Sequence, residues 1–279
     1  MTEMDQLKSG IIEAVEKVRS ENPLAGSVTN GVTMDFVANA QLAVGGSAAM
    51  VYLPDEGEFL VAAGGAVYLN MGTLLPIYRE TLPRTAAAAF SNGKPWVLDP
   101  VGIGIGQLRT DLLQELKQYK PSIVRGNASE IIALASLWGI ETNACESSRP
   151  RGVDTTDTVD SARDAAVALA RFTGGAVAVS GKKDLVAVGE RVVFSEGGSE
   201  LMEKVTGFGC SQGGVLAVYA TETDPFTAAV AAVAHYNIAG SRAAEIADAP
   251  ASFKAAFIDE LYRATAQDIA GNPCSVEEA

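Results

Sequence analysis

In Trp96-Val97-Leu98-Asp99-Pro100-Val101-Gly102-Ile103-Gly104-Ile105-Gly106, a continuous apolar run stops at an acid and passes into a turn with a glycine at every second position. An unbroken apolar run bounded by turn signals is the pattern of a strand buried on both faces. The same unit recurs at 122–125, followed by Gly126-Asn127, and at 176–180, followed by Gly181-Lys182-Lys183. Working outward on the N-terminal side, Leu7, Ile11, Ile12, Val15 and Val18 predict an amphipathic helix within residues 1–22, ended by Asn22-Pro23. Helices are predicted at 32–44, from Pro54, at 75–90 and at 108–119, and strands at 48–53, 66–71 and 95–99. On the C-terminal side the pattern predicts a helix at 156–172, with Asp157 and Asp160 in its first turn, where acids suit the helix dipole. A hairpin follows at 185–188 and 191–194 through Gly189-Glu190, then helices at 211–220, 225–247 and 252–266. Residues 271–279, Gly-Asn-Pro and then acids, read as a frayed tail. Strands alternating with long helices imply βαβ units: one α/β domain over 1–279, with a mainly parallel sheet covered on both faces.

Composition limits the partners. Of 279 residues, 48% are hydrophobic and 20% charged, which supports a sizeable core and excludes a disordered, collagenous or coiled-coil chain. Asp and Glu number 34 against 21 Lys and Arg, and the net charge of −13 disfavours nucleic acid or an anionic membrane as partner. A small anionic ligand would need a local cluster of donors. Cys145, Cys210 and Cys274 are odd in number, widely spaced and without a CxxC, which predicts reduced thiols and a cytoplasmic protein. No signal peptide or membrane-spanning stretch is expected.

Ligands of open α/β sheets bind beyond the carboxyl ends of the strands. Three predicted strand ends carry unusual residues: Asp99 with its glycine loop, Arg125-Gly126-Asn127-Ala128-Ser129-Glu130, and Ser180-Gly181-Lys182-Lys183. A fourth feature, Thr206-Gly207-Phe208-Gly209-Cys210, opens a helix. A glycine turn there aims several amides at one point, an anion site made without side-chain charge. Cys210 in the first helical turn is placed where thiol pKa values are commonly lowered. The same letters also describe an ordinary glycine turn with a buried structural cysteine. Asp99 and Glu130 suit Mg²⁺, which takes one or two carboxylates with waters and phosphates, or else each is a helix cap or a solvated acid. Arg125 reads as a phosphate clamp or as a surface ion-pair partner. Nucleotide fingerprints are lacking: no GxxxxGK[ST] occurs, and Gln107 stands where the dinucleotide motif needs its third glycine. Gly209-Cys210-Ser211-Gln212-Gly213 spells the hydrolase GxSxG. The sole histidine, His235, lies too close along the chain for that layout and reads as a core or interface residue.

Taken in order, Thr29-Asn30, residues 34–40, 69–74, 97–102, Arg109-Thr110, 125–130 and 204–210 resemble the hydroxyethylthiazole kinases of the ribokinase-like superfamily. The resemblance covers about Pro23 to Tyr262. It implies a single-domain, ribokinase-like three-layer α/β/α sandwich. The implied reaction is the ATP- and Mg²⁺-dependent phosphorylation of the primary alcohol of 4-methyl-5-(2-hydroxyethyl)thiazole in thiamine biosynthesis and salvage. By position, it implies that Arg125, Ser180 and Asn127 contact ATP and that Met50, Gly207 and Asn30 contact the thiazole. Asp99 and Glu130 would organise the metal, and Gly207, Phe208, Gly209 and Cys210 would hold the transferred group. Cys210 takes the place where most of the superfamily keeps an Asp base. A cytoplasmic homotrimer with sites between subunits is implied, so that Met50 serves a neighbour's pocket. Three places depart from the family: Gly26-Ser27 in place of His-Asn, Phe208 in place of a small residue or Thr, and a polar, glycine-rich Ser211-Gln212-Gly213-Gly214. The Phe208 ring is expected to narrow or reshape the pocket. Alternatives are a related small-alcohol kinase, a non-catalytic ligand-binding relative, or a nicotinamide-nucleotide repair dehydratase.

Overall fold

The computed structural model describes residues 2–142 and 159–278. Helix α1 (Glu3–Glu21) starts at a Thr2–Asp5 capping box and buries Leu7, Ile11, Ala14, Val15 and Val18 as one stripe. Alternation then begins: β1 (Leu24–Val28), α2 (Met34–Ala43), β2 (Ser47–Met50), α3 (Pro54–Ala63), β3 (Ala66–Asn70) and α4 (Tyr78–Ser91). It continues through β4 (Trp96–Asp99), α5 (Gln107–Leu116), β5 (Ile123–Asn127) and α6 (Ala128–Leu137). Beyond residue 158 come α7 (Arg163–Thr173), β6 (Ala176–Ser180), β7 (Lys183–Val188), β8 (Arg191–Glu196) and α8 (Phe208–Ala220). The chain closes with α9 (Pro225–Ile246), α10 (Pro250–Arg263), α11 (Ala266–Ala270) and β9 (Cys274–Glu278).

The strands form one sheet in the order β2-β1-β3-β4-β5-β6-β7-β8-β9. From β2 to β6 every pairing is parallel, and β7, β8 and β9 are added antiparallel. Side chains alternate between two cores: Ala66 and Tyr68 face the layer of α1, α2, α8 and α9, while Val67 and Leu69 face the layer of α3 to α7. This is the three-layer α/β/α arrangement expected. β1 lies between β2 and β3, so the winding reverses there, and the ends of β1 and β3 open a crevice at that switch point.

α8 is the central helix, buried at every residue but Gly209. Its polar-looking 211–214 segment is a packing device: a Cβ on Gly213 would collide with the Tyr68 ring, and one on Gly214 would come within 2.7 Å of Val37. Gly26 is required in the same way, since a Cβ there would lie 2.7 Å from Leu60.

Several expectations need correction. The tail expected at 271–279 is held over residues 271–278: β9 pairs with β8, Arg163 Nη1 donates to Glu277 Oε2 at 2.9 Å, and Asn272 Nδ2 donates to Ser195 Oγ at 3.0 Å. The acids that suggested a tail are cross-strand partners. β1 is hidden in the sequence because Gly26 and Ser27 interrupt its apolar letters, and α6 because its cap Asn127 also ends a strand. The helix expected at 252–266 stops at Arg263, and a Thr265–Asp268 capping box starts α11 separately. In place of the helix at 156–172, a 3-10 turn at Asp160–Ala162 leads into α7. Residues 156–158, including Asp157, and Cys145 lie outside the described residues.

Candidate active site

The cleft is built from the carboxyl ends of β1, β3, β4, β5 and β6, with the N-terminus of α8 facing them. Gly207, at φ +99°, turns the chain into α8. No hydrogen bond to the amides of Phe208, Gly209 or Cys210 occurs among the described residues; the first helical bond is Ser211 N to Gly207 O at 2.8 Å. Three N–H groups at the positive end of a helix dipole are therefore available to an anion. Gly209 is needed for a neighbour's sake, because a Cβ would collide with the Arg125 guanidinium.

Arg125, on β5, is buried and tied in place. Its Nη2 donates to Ser180 Oγ at 2.6 Å, its Nε donates to Gln212 Oε1 at 3.2 Å, and its Nη1 lies 3.8 Å from Asp99 Oδ1. Burial works against its charge, but Asp99 and Glu130 outweigh that and hold the guanidinium above its ordinary value. Asp99 ends β4. Its Oδ2 accepts from Tyr68 OH at 2.7 Å and from Asn70 Nδ2 at 3.0 Å, while Oδ1 has no hydrogen-bond partner. Burial pushes its carboxyl up despite Arg125. Glu130 turns out to be a helix cap: Oε2 accepts from Asn127 N at 2.9 Å and Oε1 from Gly102 N at 3.2 Å. Asn127 Oδ1 accepts from Glu130 N in return. Burial, then the charge of Asp99, pushes Glu130 up.

Among the described residues no group of three or more His, Cys, Asp or Glu forms a metal cage. Mg²⁺ asks for less, one or two carboxylates with the rest of its shell from water and phosphate. Two buried carboxylates, the charge of Asp99 pushing Glu130 up and Asp99 keeping one oxygen without a hydrogen bond, fit that demand. Asp99 Oδ1 suits direct contact, and Glu130, whose oxygens already hold amides, suits contact through water.

Cys210 departs from expectation. Burial, then the Asp99 charge, pushes its thiol up, so Sγ is protonated rather than activated. It accepts from Asn70 Nδ2 at 3.3 Å and Asn30 Nδ2 at 3.6 Å. Asn30 and Asn70 are joined across the switch point at 2.9 Å. The GxSxG reading fails: Ser211 Oγ donates to Phe208 O, and His235 is sealed between Tyr219 and Leu261.

Two lobes meet at Arg125, Ser180 and Gly209. One, about 500 Å³, is walled by Gly181, Asp184, the 197–199 turn, Gln212 and Asn237. The other, about 580 Å³, contains Asn30, Thr33, Gly72, Arg109, Glu130 and Cys210. Phe208 lines both lobes, and its ring is anchored in the core. It packs into an aromatic cluster with centroids 4.9 Å from Phe36 and 4.6 Å from Phe257. Met50 is not brought to either lobe; it ends the edge strand β2, half-buried. Sequence reasoning missed Tyr68, Asn70, Arg109 and Asp184 as site residues. A polar side chain ending an apolar strand, Asn70 after Val67–Leu69, was the available signal.

A two-lobed cleft with an anion-binding helix start at its junction, on this sheet, defines a small-molecule kinase of ribokinase-like architecture. The chain belongs to the hydroxyethylthiazole kinase family, whose sequence model matches residues 15–267. It is 47% identical to a hydroxyethylthiazole kinase of Bifidobacterium longum subsp. infantis, over 97% of this chain and 92% of that one. The enzyme of Bifidobacterium adolescentis is 48% identical over 95% and 94%. The solved hydroxyethylthiazole kinase of Pyrococcus horikoshii OT3 superposes with TM-score 0.85 at 32% identity, over 97% of this chain and 99% of that one. Staphylococcus aureus pyridoxal kinase, at TM-score 0.56 and 15% identity over 78% and 87%, shares the fold.

Proposed function

We propose that this protein transfers the γ-phosphoryl group of ATP to the primary alcohol of 4-methyl-5-(2-hydroxyethyl)thiazole. The observation that carries the reading is the set of three free amides at Phe208, Gly209 and Cys210, with Arg125 packed against Gly209 and Asp99 behind it. Phosphoryl transfer asks the protein mainly for positioning and charge stabilisation. The smaller lobe takes the nucleotide, with Arg125, Ser180 and Asn127 along its phosphates. The other takes the thiazole, with Asn30 and Gly207 beside it. The amides receive the moving phosphoryl group, and Arg125 offsets charge on its oxygens. Bound Mg²⁺, held by Asp99 and Glu130, would supply further charge neutralisation on the phosphates. In a loose transition state the alcohol keeps its proton until late, so a neutral Cys210 suffices. Its sulfur accepts a hydrogen bond from the alcohol and orients the attacking oxygen.

The same reading takes the protein to be a cytoplasmic homotrimer of thiamine biosynthesis, with Met50 of one protomer completing a neighbour's thiazole site. Exposed Leu53 and Phe59, close along the chain to the β2 edge, support such a contact. A coupled ADP-release assay tests the proposal. The thiazole alcohol should stimulate release well above hydroxymethylpyrimidine and simple sugars. Stimulation by another alcohol instead would leave a kinase of different substrate, and ligand binding with no ADP release would leave a non-catalytic relative.

A further inference from the structure

Among the described residues, four buried side-chain atoms lack a partner at full hydrogen-bond geometry: Thr29 Oγ1, Thr33 Oγ1, Asp99 Oδ1 and Tyr236 OH. Buried polar groups are nearly always paired, and leaving one unpaired costs about 1–3 kcal/mol. Thr29 follows β1, Asp99 ends β4, and Thr33 and Tyr236 line the two lobes of the cleft.

Thr33 is the most telling. It stands at the N-cap of α2, where a threonine hydroxyl ordinarily accepts from the second or third helical amide. Here it makes no capping bond. The Asn30 side chain fixes the residue instead, accepting from Thr33 N at 3.2 Å. A Cβ on Gly207 would lie 2.9 Å from the Thr33 methyl, so the methyl is turned toward Gly207. The hydroxyl is left on the Cys210 side, where it helps to hold the thiol's pKa down against burial.

We infer that Thr33 is a further substrate-binding residue: its hydroxyl hydrogen-bonds the primary hydroxyl of a short neutral alcohol and holds that oxygen between Cys210 and the Phe208–Cys210 amides. This deepens the thiazole-kinase reading and rests on it. With the cap forgone, the hydroxyl stands beside the Cys210 thiol at the wall of the acceptor lobe, free to turn to a ligand there.

The test is calorimetric binding of 4-methyl-5-(2-hydroxyethyl)thiazole and of 5-ethyl-4-methylthiazole, which lacks only the hydroxyl. Wild-type protein should prefer the alcohol by about tenfold, or about 1.4 kcal/mol. Thr33→Val, the isosteric change, should bind the des-hydroxy compound as wild type does and lose the preference to within twofold. Thr33→Ser should keep it. Thr33→Val should melt close to wild type, because the hydroxyl makes no capping bond to α2. A valine variant that keeps the preference, weakens both compounds equally, or fails to fold overturns the assignment. If wild type phosphorylates the thiazole while the valine variant keeps its preference, only the Thr33 contact falls. If wild type binds neither compound and does not phosphorylate the alcohol, the kinase reading falls and takes the contact with it.

Discussion

α8 carries a buried polar cluster near each end, and the two are built on opposite terms. Toward the C-terminus, Tyr219 OH meets His235 Nδ1 at 2.8 Å and His235 Nε2 meets the Leu261 carbonyl at 2.8 Å. A carbonyl only accepts, so Nε2 carries the proton and Nδ1 accepts from the tyrosine. That cluster is neutral, satisfied and lines neither lobe. At the N-terminus, three amides and Asp99 Oδ1 have no hydrogen-bond partner, and one guanidinium faces two carboxylates. Burial is similar at both ends. What separates structure from function here is whether the polar groups close on themselves or wait for a ligand.

The sharpest way to break that contrast is Arg125→Met, which removes the positive charge from the open cluster and nothing from the closed one. Turnover in the ADP-release assay should fall on the order of 10³-fold, at the upper end of what one stabilising group contributes. Stability should also fall, because Asp99 loses its ion-pair partner; removing one member of a buried pair costs about 3–5 kcal/mol. Proton uptake by Asp99 would soften that loss. Turnover within tenfold of wild type would mean that the open cluster is structural after all. Cys210→Ala is the smaller perturbation. A neutral thiol that orients the alcohol should contribute roughly 10–100-fold, less than the upper reach of about 10²–10⁴ for a full general base. A loss beyond 10³-fold with intact nucleotide binding would show that Cys210 takes the proton itself.

The contrast also explains what could be read from the letters. The parallel half of the sheet was legible because its strands are buried on both faces and so appear as unbroken apolar runs, as at Val97-Leu98 and 176–179. The antiparallel edge was only partly legible. β9 is made of Cys274-Ser-Val-Glu-Glu, and its partners Arg163 and β8 lie far away along the chain. Within the site, Asp99, Arg125 and the glycine turn announce themselves by type and position. Tyr68 and Asn70 do not, since a tyrosine in a buried strand reads as core until Gly213 is seen to admit its hydroxyl to Asp99. The direction of the Cys210 shift is hidden from the sequence for the same reason. The helix start was visible in the sequence, but the burial and the nearby Asp99 charge that push the thiol up arise only from folding.

The smallest expected effect on catalysis belongs to the closed cluster, and it comes with a distinct effect on stability. Burial pushes His235 down to about 3, from an ordinary value near 6.5. Between those values the unfolded chain binds a proton that the folded chain refuses, so stability rises with pH through this window and is lost as pH falls from about 6.5 toward 3. The full swing is at most roughly 4–5 kcal/mol. Asp184, pushed up to about 6 by burial, pulls the other way over part of the same range, because its folded form binds the extra proton. Wild-type stability alone therefore mixes the two. The difference between wild type and His235→Gln isolates the histidine, since the amide can still accept from Tyr219 and donate to Leu261 without titrating. Urea unfolding at pH 7, 6, 5 and 4.5 should show the stability difference shifting progressively in favour of the glutamine variant as pH falls, while kcat and both KM values at pH 7.5 stay within twofold. Parallel stability curves would remove the proton from the closed cluster, and a changed KM for either substrate would join it to the open one.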